Sequence, residues 1–457
     1  MSLTMEQYLT SLQGKRVAVI GIGVSNTPLI QMLLRADIAV TACDRRYADQ
    51  LGDVAENLES LGAELRLGED YLANLDHDVI FRTPGMRPDV PELVAAREQG
   101  SVITSEMEVF FEVCPCPIIA VTGSDGKTTT TSIIAGMLEA AGRTPYVGGN
   151  IGKPLLADSV NMTPDDIAVL ELSSFQLMTM KKSPHTAVVT NLAPNHLDMH
   201  TSLEEYYAAK KNIFAHQSRC DRVILNADNA VTRDFAADAV GAVTMFSRRE
   251  TLNPGICVKD GAIYVNGKEV LPLQNILLPG DHNVENYMAA IGAVEGLVSN
   301  AVIRGFAQTF AGVEHRIELV RTLNGVKFYN DSIASSPSRT TAGLLSFSQK
   351  VILIAGGYDK KIPFDDLGPV IADHVKALCL TGDTAQKIRT AVENAPNYQF
   401  GAPTISDYAD FRTAVLAACG MAQPGDIVIL SPACASFDKF KNFMERGNAF
   451  KKIIYEL

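Results

Sequence analysis

The sequence predicts an α/β fold in three parts, each a mainly parallel sheet covered by crossover helices. Three observations carry that expectation. The chain has 457 residues, which at about 100–200 residues per domain is roughly three domains. Short apolar runs that end in Gly, Asp or Asn recur along it, each followed by a helix-compatible stretch. Buried parallel strands turning into helices read this way. The pattern also restarts twice, which divides the chain into residues 1–105, 106–312 and 313–457.

Composition narrows the class. Hydrophobic residues make up 47% and charged residues 20%, which excludes a disordered chain, a fibre or a coiled coil. No apolar run reaches the roughly 18 residues of a membrane span. Met1 to Lys15 is polar and lacks the apolar core of a signal peptide, so a cytoplasmic protein is expected. The net charge of -12 argues against a general nucleic-acid binder but leaves room for a locally bound phosphate. The eight cysteines read as reduced thiols. Cys114-Pro-Cys116 is the only close pair, and a metal or redox role would want wider spacing and further ligands.

The first part opens with the apolar run Val17 to Ile20, closed by Gly21-Ile-Gly23. Further strands are expected at Ile38–Cys43, ending at Asp44, and at Asp78–Arg82, ending in Thr83-Pro-Gly85. A dinucleotide fingerprint would need a third Gly where Asn26 stands. Asp44 lies where a ribose-binding acid often sits, whereas Arg45 and Arg46 would favour a phosphate. The glycines therefore mark either a packing turn or a Rossmann-like site for a nucleotide or nucleotide-sugar.

The second part begins at Pro117-Ile-Ile-Ala-Val-Thr122 and continues with strands at Ile167–Leu172, Thr186–Asn191 and Arg222–Asn226. Asp260-Gly261 is a two-residue hairpin signal. Helices are expected near Asn283–Leu297 and Val302–Phe310. The third part, from about Glu314, has strands expected at Lys327–Tyr329, Val351–Ala355, Ala377–Leu380 and Ile427–Leu430.

Chemistry concentrates after the second part's first strand, in Thr122-Gly123-Ser124-Asp125-Gly126-Lys127-Thr128-Thr129. A strand, a glycine loop and a helix form the context of a phosphate loop. Glycines let backbone N–H groups face phosphates, Lys127 adds a cation, and the Thr128 hydroxyl suits Mg²⁺. This loop is shorter than the common one, and Asp125 would repel a triphosphate unless it faces away. Glu171 ends a neighbouring strand, well placed for Mg²⁺. His196 follows another, in Asn191-Leu-Ala-Pro-Asn-His-Leu-Asp198. Lys210-Lys211 alone reads as a solvated helix face. His282, Asn283 and Asn286 can share a helical face; Asn283 could cap the helix, whereas Asn286, a turn into it, is not needed as a cap and points to nucleotide contact.

Taken in order, these segments resemble the Mur ligases, ATP-dependent amide-forming enzymes of peptidoglycan synthesis. The likeness runs through Thr122–Thr128, Asn150-Ile-Gly152, Glu171-Leu-Ser-Ser174, Asn191–Asp198, Ala208-Ala-Lys210, His282-Asn283 with Asn286, His315-Arg316, Asn330-Asp-Ser332 and Gly356-Gly357 with Lys360. Leu172-Ser-Ser-Phe-Gln176 and Ser431-Pro-Ala-Cys-Ala-Ser436 to Phe443, with Arg446-Gly447, look most like the branch that adds D-glutamate. The Asp-Asn-Pro-Arg motif of the diaminopimelate and lysine branches is absent from the sequence.

The resemblance implies three domains: a Rossmann-like UDP-binding sheet, a central P-loop-type ATPase domain, and a Rossmann-like C-terminal domain for the amino acid. It implies UDP-muramoyl contacts at Gly23, Val24, Ser25, Asp44, Arg46, Thr83, Gly85, Asn150 and His196. ATP would meet Gly123 to Thr129, with Asn283, Asn286, Arg316 and Asp331 at its adenosine. Ser335, Lys360, Ser436 and Phe443 would surround D-glutamate. Two Mg²⁺ ions would take Thr128, Glu171, His196 and a carbamylated Lys210. An ammonium about 4 Å from Mg²⁺ is repelled by roughly 4 kcal/mol per unit charge at an effective dielectric of about 20. A carbamate replaces that cation by an oxygen ligand, although this logic alone does not choose between Lys210 and Lys211.

Lys127, Glu171, His196 and Lys210 are thus the implied catalytic set. The partners would be ATP, UDP-N-acetylmuramoyl-L-alanine and D-glutamate, with a monomer expected. Two departures stand out: Asp125 replaces the family's usual Asn, and Ile333 a common Lys. Competing readings are a folylpolyglutamate synthase-like ligase, a P-loop kinase or NTPase, and a nucleotide-sugar binder without turnover.

Overall fold

The computed structural model describes residues 3–193 and 200–457. Its architecture is α/β and contains three sheets. The first comprises β1 (Val17–Ile20), β2 (Val40–Asp44), β3 (Glu64–Leu67), β4 (Val79–Phe81) and β5 (Val102–Thr104). Its order is β3-β2-β1-β4-β5, parallel throughout. The chain leaves β1 in one direction and returns on its other side at β4. The topological switch point therefore lies between these strands, where such sheets bind ligands.

The second sheet contains β6 (Ile118–Thr122), β7 (Pro145–Gly149), β8 (Ile167–Glu171), β9 (Thr186–Val189), β10 (Arg222–Asn226), β11 (Ala242–Ser247), β12 (Ile256–Lys259), β13 (Ala262–Val265) and β14 (Lys268–Pro272). Its order is β14-β13-β12-β11-β10-β9-β6-β8-β7. β6 is flanked by β8 and β9, so three adjacent carboxyl ends meet there. β12 and β13 form the expected hairpin, pairing Lys259 with Ala262. Asp260 and Gly261 take φ of 48° and 75° in its turn, the backbone a two-residue loop demands.

The third sheet contains β15 (Glu318–Leu323), β16 (Val326–Asn330), β17 (Val351–Ala355), β18 (Val375–Leu380), β19 (Thr404–Asp407) and β20 (Ile427–Leu430). Its order is β15-β16-β20-β17-β18-β19, with only the β15–β16 pair antiparallel. Apolar clusters cover both faces, one around Leu353, Leu378 and Ile429 and one around Ile354, Val428 and Phe450.

By packing, the chain forms two compact units: Met1–Asn275 with Val284–Phe306, and Ile276–Asn283 with Ala307–Leu457. Among the described residues no helix is long and apolar enough to cross a membrane.

Two local expectations need correction. The helix after Gly280 runs Asp281–Ala293, so Asn283 lies inside its first turn and does not cap it. Its amide donates back to the Pro279 carbonyl at 2.6 Å. The next helix spans Asn300–Ala307 and ends before Phe310.

Candidate active site

In the first sheet, Gly21 and Thr83 follow β1 and β4 at the switch point. A Cβ on Gly21, whose φ is +90°, would lie 3.0 Å from the Thr83 Cβ, so the glycine admits the second loop. Asn26, where a third glycine would stand, is buried and donates to the Ile20 carbonyl at 2.9 Å. Ser25 precedes the helix Asn26–Arg35 without a side-chain cap bond, and Val24 is 80% exposed. Arg82 holds the turn that carries Thr83 and Gly85, with bonds to the Thr83, Pro84 and Met86 carbonyls and to Thr179 Oγ1.

Asp44 and Arg46 meet as a fork. Arg46 Nε reaches Asp44 Oδ1 at 3.0 Å and Nη2 reaches Oδ2 at 2.9 Å. Oδ2 also accepts the Ile22 N–H at 2.7 Å. Burial works to raise the Asp44 pKa, but the bonds from Arg46 and Ile22 outweigh it and lower it. The alternatives left open by the sequence, a ribose-binding acid or a phosphate-binding base, are here one ion pair beside the Gly21–Gly23 loop.

The phosphate loop follows β6 and opens the helix Lys127–Ala140. Gly123 and Gly126 have φ of +150° and +77°. A Cβ on Gly123 would lie 2.0 Å from Thr190 Oγ1, and one on Gly126 2.3 Å from Asn286 Oδ1. Asn286 accepts from Thr130 Oγ1 at 3.2 Å, so this side chain packs directly on the loop. Lys127 Nζ folds back onto the Gly123 and Ser124 carbonyls at 3.0 and 2.9 Å. Asp125 is exposed, with its N–H bonded to Asn191 Oδ1 at 3.0 Å and its carbonyl accepting from Thr190 Oγ1 at 2.6 Å. Thr129 is buried in the first helical turn.

β8 brings Glu171 to this loop, 2% exposed. Its Oε2 accepts from Thr128 Oγ1 at 2.7 Å and its Oε1 from Asn150 Nδ2 at 2.6 Å. The helix Leu203–Ala215 brings Lys210, also 2% exposed. Its Nζ donates to Thr122 Oγ1 at 3.3 Å and lies 5.0 Å from the centre of the Tyr206 ring. Burial, then the Lys127 charge, pull its pKa down to about 7. Lys211 instead pairs with Asp238 at 2.5 Å on a partly exposed face. His196 lies outside the described residues.

Two contacts were not singled out from sequence. Tyr206 OH lies 2.9 Å from Ser124 Oγ, which also donates to the Ala193 carbonyl. Tyr206 therefore joins the phosphate loop to the Lys210 helix, and its i, i+4 spacing from Lys210 was the available signal. Arg87 grips Glu205 with two bonds, at 3.0 and 2.9 Å. Those partners are 118 residues apart, and local pattern cannot see such a pairing.

In the second compact unit, residues following β16, β20 and β17 meet at adjacent strand ends. Asp331 is buried; Oδ2 accepts from Ser431 Oγ at 2.8 Å and Oδ1 from the Ile317 N–H at 3.3 Å. Desolvation pushes its pKa up to about 7, against the bonds from Ser431 and Ile317 and the Arg316 charge. The Arg316 N–H donates to the Val313 carbonyl at 2.9 Å.

Gly357 lets the 356–360 loop pass the 432–436 loop, since a Cβ there would meet the Ala435 carbonyl at 2.4 Å. Lys360 is exposed, Ser335 half-buried and Ser436 buried. Phe443 begins the helix Phe443–Tyr455, its ring 5.9 Å from that of His315. Arg446, quoted from the sequence without a role, is 2% exposed and bonds to Ser332, Cys434 and Ala435.

The fit of a divalent cation can be judged from these donors. Among the described residues no group of three or more His, Cys, Asp or Glu side chains comes together. The Thr128 hydroxyl and Glu171 carboxylate nevertheless offer converging oxygens beside the phosphate loop. That is the donor class Mg²⁺ takes from a protein while keeping its waters and substrate oxygens.

Comparison with known proteins agrees with this geometry. Residues 121–294 match the Mur ligase middle domain, and residues 315–434 the Mur ligase glutamate ligase domain. The chain is 54% identical over 461 residues to UDP-N-acetylmuramoylalanine–D-glutamate ligase of Acetivibrio thermocellus, covering 99% of each protein. It is 49% identical over 458 residues to the ligase of the same name from Clostridium botulinum strain Okra, covering 100% of each.

Among solved structures, UDP-N-acetylmuramate-alanine ligase from Thermotoga maritima superposes with a TM-score of 0.60 at 18% identity, over 97% of this chain and 99% of that one. A pseudomurein peptide ligase type C from Methanothermus fervidus does so with a TM-score of 0.54 at 16% identity, over 97% and 100%. The two domain matches and full-length identity of this degree establish that the chain belongs to the Mur ligase family.

Proposed function

We propose that the protein joins D-glutamate to UDP-N-acetylmuramoyl-L-alanine at the expense of ATP, in peptidoglycan precursor synthesis in the cytoplasm. One observation carries the chemistry: the Glu171 carboxylate lies 2.7 Å from Thr128 of the phosphate loop, on the strand beside the one that feeds that loop. The substrate assignment leans on the two full-length relatives. The chain divides by function near residues 105 and 312, into UDP-binding, ATP-binding and amino-acid-binding domains, and acts as a monomer.

In this reading the L-alanyl carboxylate attacks the γ-phosphate of ATP and ADP leaves. The D-glutamate amine attacks the resulting acyl phosphate. A tetrahedral intermediate then expels phosphate and leaves the amide. Carboxylate attacking phosphate brings two anions together, so charge neutralisation dominates the barrier. Lys127 swings from its loop carbonyls to the transferred phosphate. The backbone N–H groups of Gly126 to Thr129 take the remaining oxygens, since those of Ser124 and Asp125 are bonded to Asn191, and the exposed Asp125 side chain stays clear of them.

Thr128 and Glu171 hold one Mg²⁺; His196 and Lys210, as its carbamate, hold the second. Mg²⁺ supplies charge neutralisation of the phosphate oxygens when bound. A buried Lys210 amine with its pKa near neutrality is the form that adds CO₂. Asn286, Asn283, Arg316 and Asp331 take the adenosine. Gly23, Val24, Ser25, Asp44, Arg46, Thr83, Gly85 and Asn150 take the UDP-muramoyl group, with His196. Ser335, Lys360, Ser436 and Phe443 take D-glutamate. Orienting three substrates supplies roughly 7–11 kcal/mol of the rate enhancement.

The test is phosphate release with ATP, Mg²⁺ and UDP-N-acetylmuramoyl-L-alanine, comparing D-glutamate, L-glutamate, diaminopimelate and L-lysine. Release only with D-glutamate is expected; release independent of it would overturn the assignment.

A further inference from the structure

Cys114-Pro115-Cys116-Pro117 joins the helix Glu106–Val113 to β6. Its two sulfur atoms lie 3.5 Å apart, in van der Waals and S–H hydrogen-bond contact. The sequence spacing speaks against a redox role, whereas the contact between the two sulfurs is a reason to consider one. A disulfide needs about 2.05 Å between sulfurs, so closure asks for an approach of roughly 1.5 Å. Pro115 and Pro117 fix their own φ angles and restrict the residues before them, which are the two cysteines. The backbone between the thiols is therefore largely ordered before any bond forms.

Both cysteines line a cavity of about 420 Å³, together with Glu112, Lys182 and His185. Lys182 and Glu112, ion-paired at 2.5 Å, have side chains 47% and 44% exposed, so the cavity opens to solvent. The residues Cys114 and Cys116 are 9% and 3% exposed. They are thus reachable through a shaped opening and shielded from bulk contact. Hydrogen bonding from the Cys114 thiol lowers the Cys116 pKa, which favours the thiolate at Cys116.

We propose that Cys114 and Cys116 form a thiol–disulfide exchange site, at which a low-molecular-weight disulfide entering this cavity is reduced while the pair closes to an intramolecular disulfide. The Cys116 thiolate attacks one sulfur of the incoming disulfide and releases its other half as a thiol. The Cys114 thiol gives up its proton to solvent, attacks Cys116 Sγ in the mixed disulfide and expels the second half. The two protein thiols are oxidised, the small disulfide is reduced to two thiols, and a dithiol reductant reverses the reaction. The site stands on the fold and the cavity and does not depend on the ligase reading.

The experiment treats the full-length protein with oxidised glutathione, then alkylates, digests and weighs the peptides. Cys220, the exposed cysteine, reports that the oxidant has acted, by carrying a glutathione adduct. The peptide holding Cys114 and Cys116 is expected to lose two hydrogens, gain neither glutathione nor alkyl group, and recover both thiols in dithiothreitol. Cys114→Ser should stop after the first exchange, leaving one glutathione on Cys116. Alkylation of both thiols in protein whose Cys220 is fully modified overturns the proposal. So does a glutathione retained on either wild-type sulfur, or an inert Cys116 in folded Cys114→Ser.

Discussion

Thr128 and Asn150 divide the Glu171 carboxylate between them, one oxygen each, at 2.7 and 2.6 Å. The carboxylate is buried, so its orientation is set by the phosphate-loop helix on one side and the turn after β7 on the other. Glu171→Gln keeps this shape and removes the charge. We expect kcat to fall about 10²–10³-fold, the scale of losing one preorganised electrostatic contact. The Mg²⁺ concentration giving half-maximal phosphate release should rise, with thermal stability little changed. A variant with wild-type Mg²⁺ dependence would remove Glu171 from the metal site.

Lys210 and Lys211 are neighbours in sequence with opposite surroundings, so their variants should differ. Lys210→Arg cannot form a carbamate and should lose nearly all turnover, while Lys211→Ala loses only a surface ion pair and should stay close to wild type. The Lys210 amine has its pKa lowered to about 7 by burial and by Lys127. Incorporation of ¹³C-labelled bicarbonate, followed by NMR, should therefore rise through about pH 7 and not near the ordinary lysine value. The sign for stability follows from the same shift. Between about 7 and the ordinary 10.5 the unfolded lysine holds a proton that the folded one lacks. Stability in CO₂-free buffer should increase with pH across that window.

Arg87 and Glu205 form a two-bond ion pair whose side chains are 23% and 29% exposed. It fixes the start of the helix that carries Tyr206 and Lys210. The bonds from Arg87 hold the Glu205 pKa down to about 2. An unfolded Glu titrates near 4.3, so the stabilisation is complete above about 4.3 and is lost as pH falls through about 2. A double-mutant cycle with Arg87→Gln and Glu205→Gln should give a coupling of about 1 kcal/mol that shrinks in high salt. Additive losses would make the pair a bystander.

Central strands were legible in the sequence because both their faces are buried. β1, β6, β8, β17 and β20 are buried at every residue and read as apolar runs, closed by Thr122 in β6 and by Glu171 in β8. β3, β5 and β19 escaped, because they are half-exposed edge strands with polar residues among the apolar ones. The phosphate loop was legible because its chemistry is contiguous. Asn286 reaching Gly126, or Tyr206 reaching Ser124, was not, because each depends on which strands lie side by side. Asp44 and Arg46 were both noticed, yet only the fold shows them paired.

Arg446 gives the last test. Its guanidinium is buried, and burial lowers its pKa to about 10. Nη2 donates to the Ser332 carbonyl at 2.8 Å and to the Cys434 carbonyl at 3.0 Å; Nη1 reaches Ala435 and Nε the Ser332 hydroxyl, each at 3.0 Å. The Ser332 hydroxyl in turn donates to the Phe443 carbonyl at 2.8 Å. One planar fork therefore joins the segment after β16, the loop after β20 and the first turn of the last helix, which carry Ser335, Ser436 and Phe443. Arg446→Lys keeps the charge but not the fork. Carbonyls left unpaired at a buried site cost about 1–3 kcal/mol each, so a stability loss of roughly 2–4 kcal/mol is expected. The KM for D-glutamate should rise at least about tenfold, since about 1.4 kcal/mol of misplacement suffices for that. The KM for UDP-N-acetylmuramoyl-L-alanine should stay near wild type. Equal rises in both, measured well below the variant's melting temperature, would show that Arg446 supports the whole protein and not the amino-acid site.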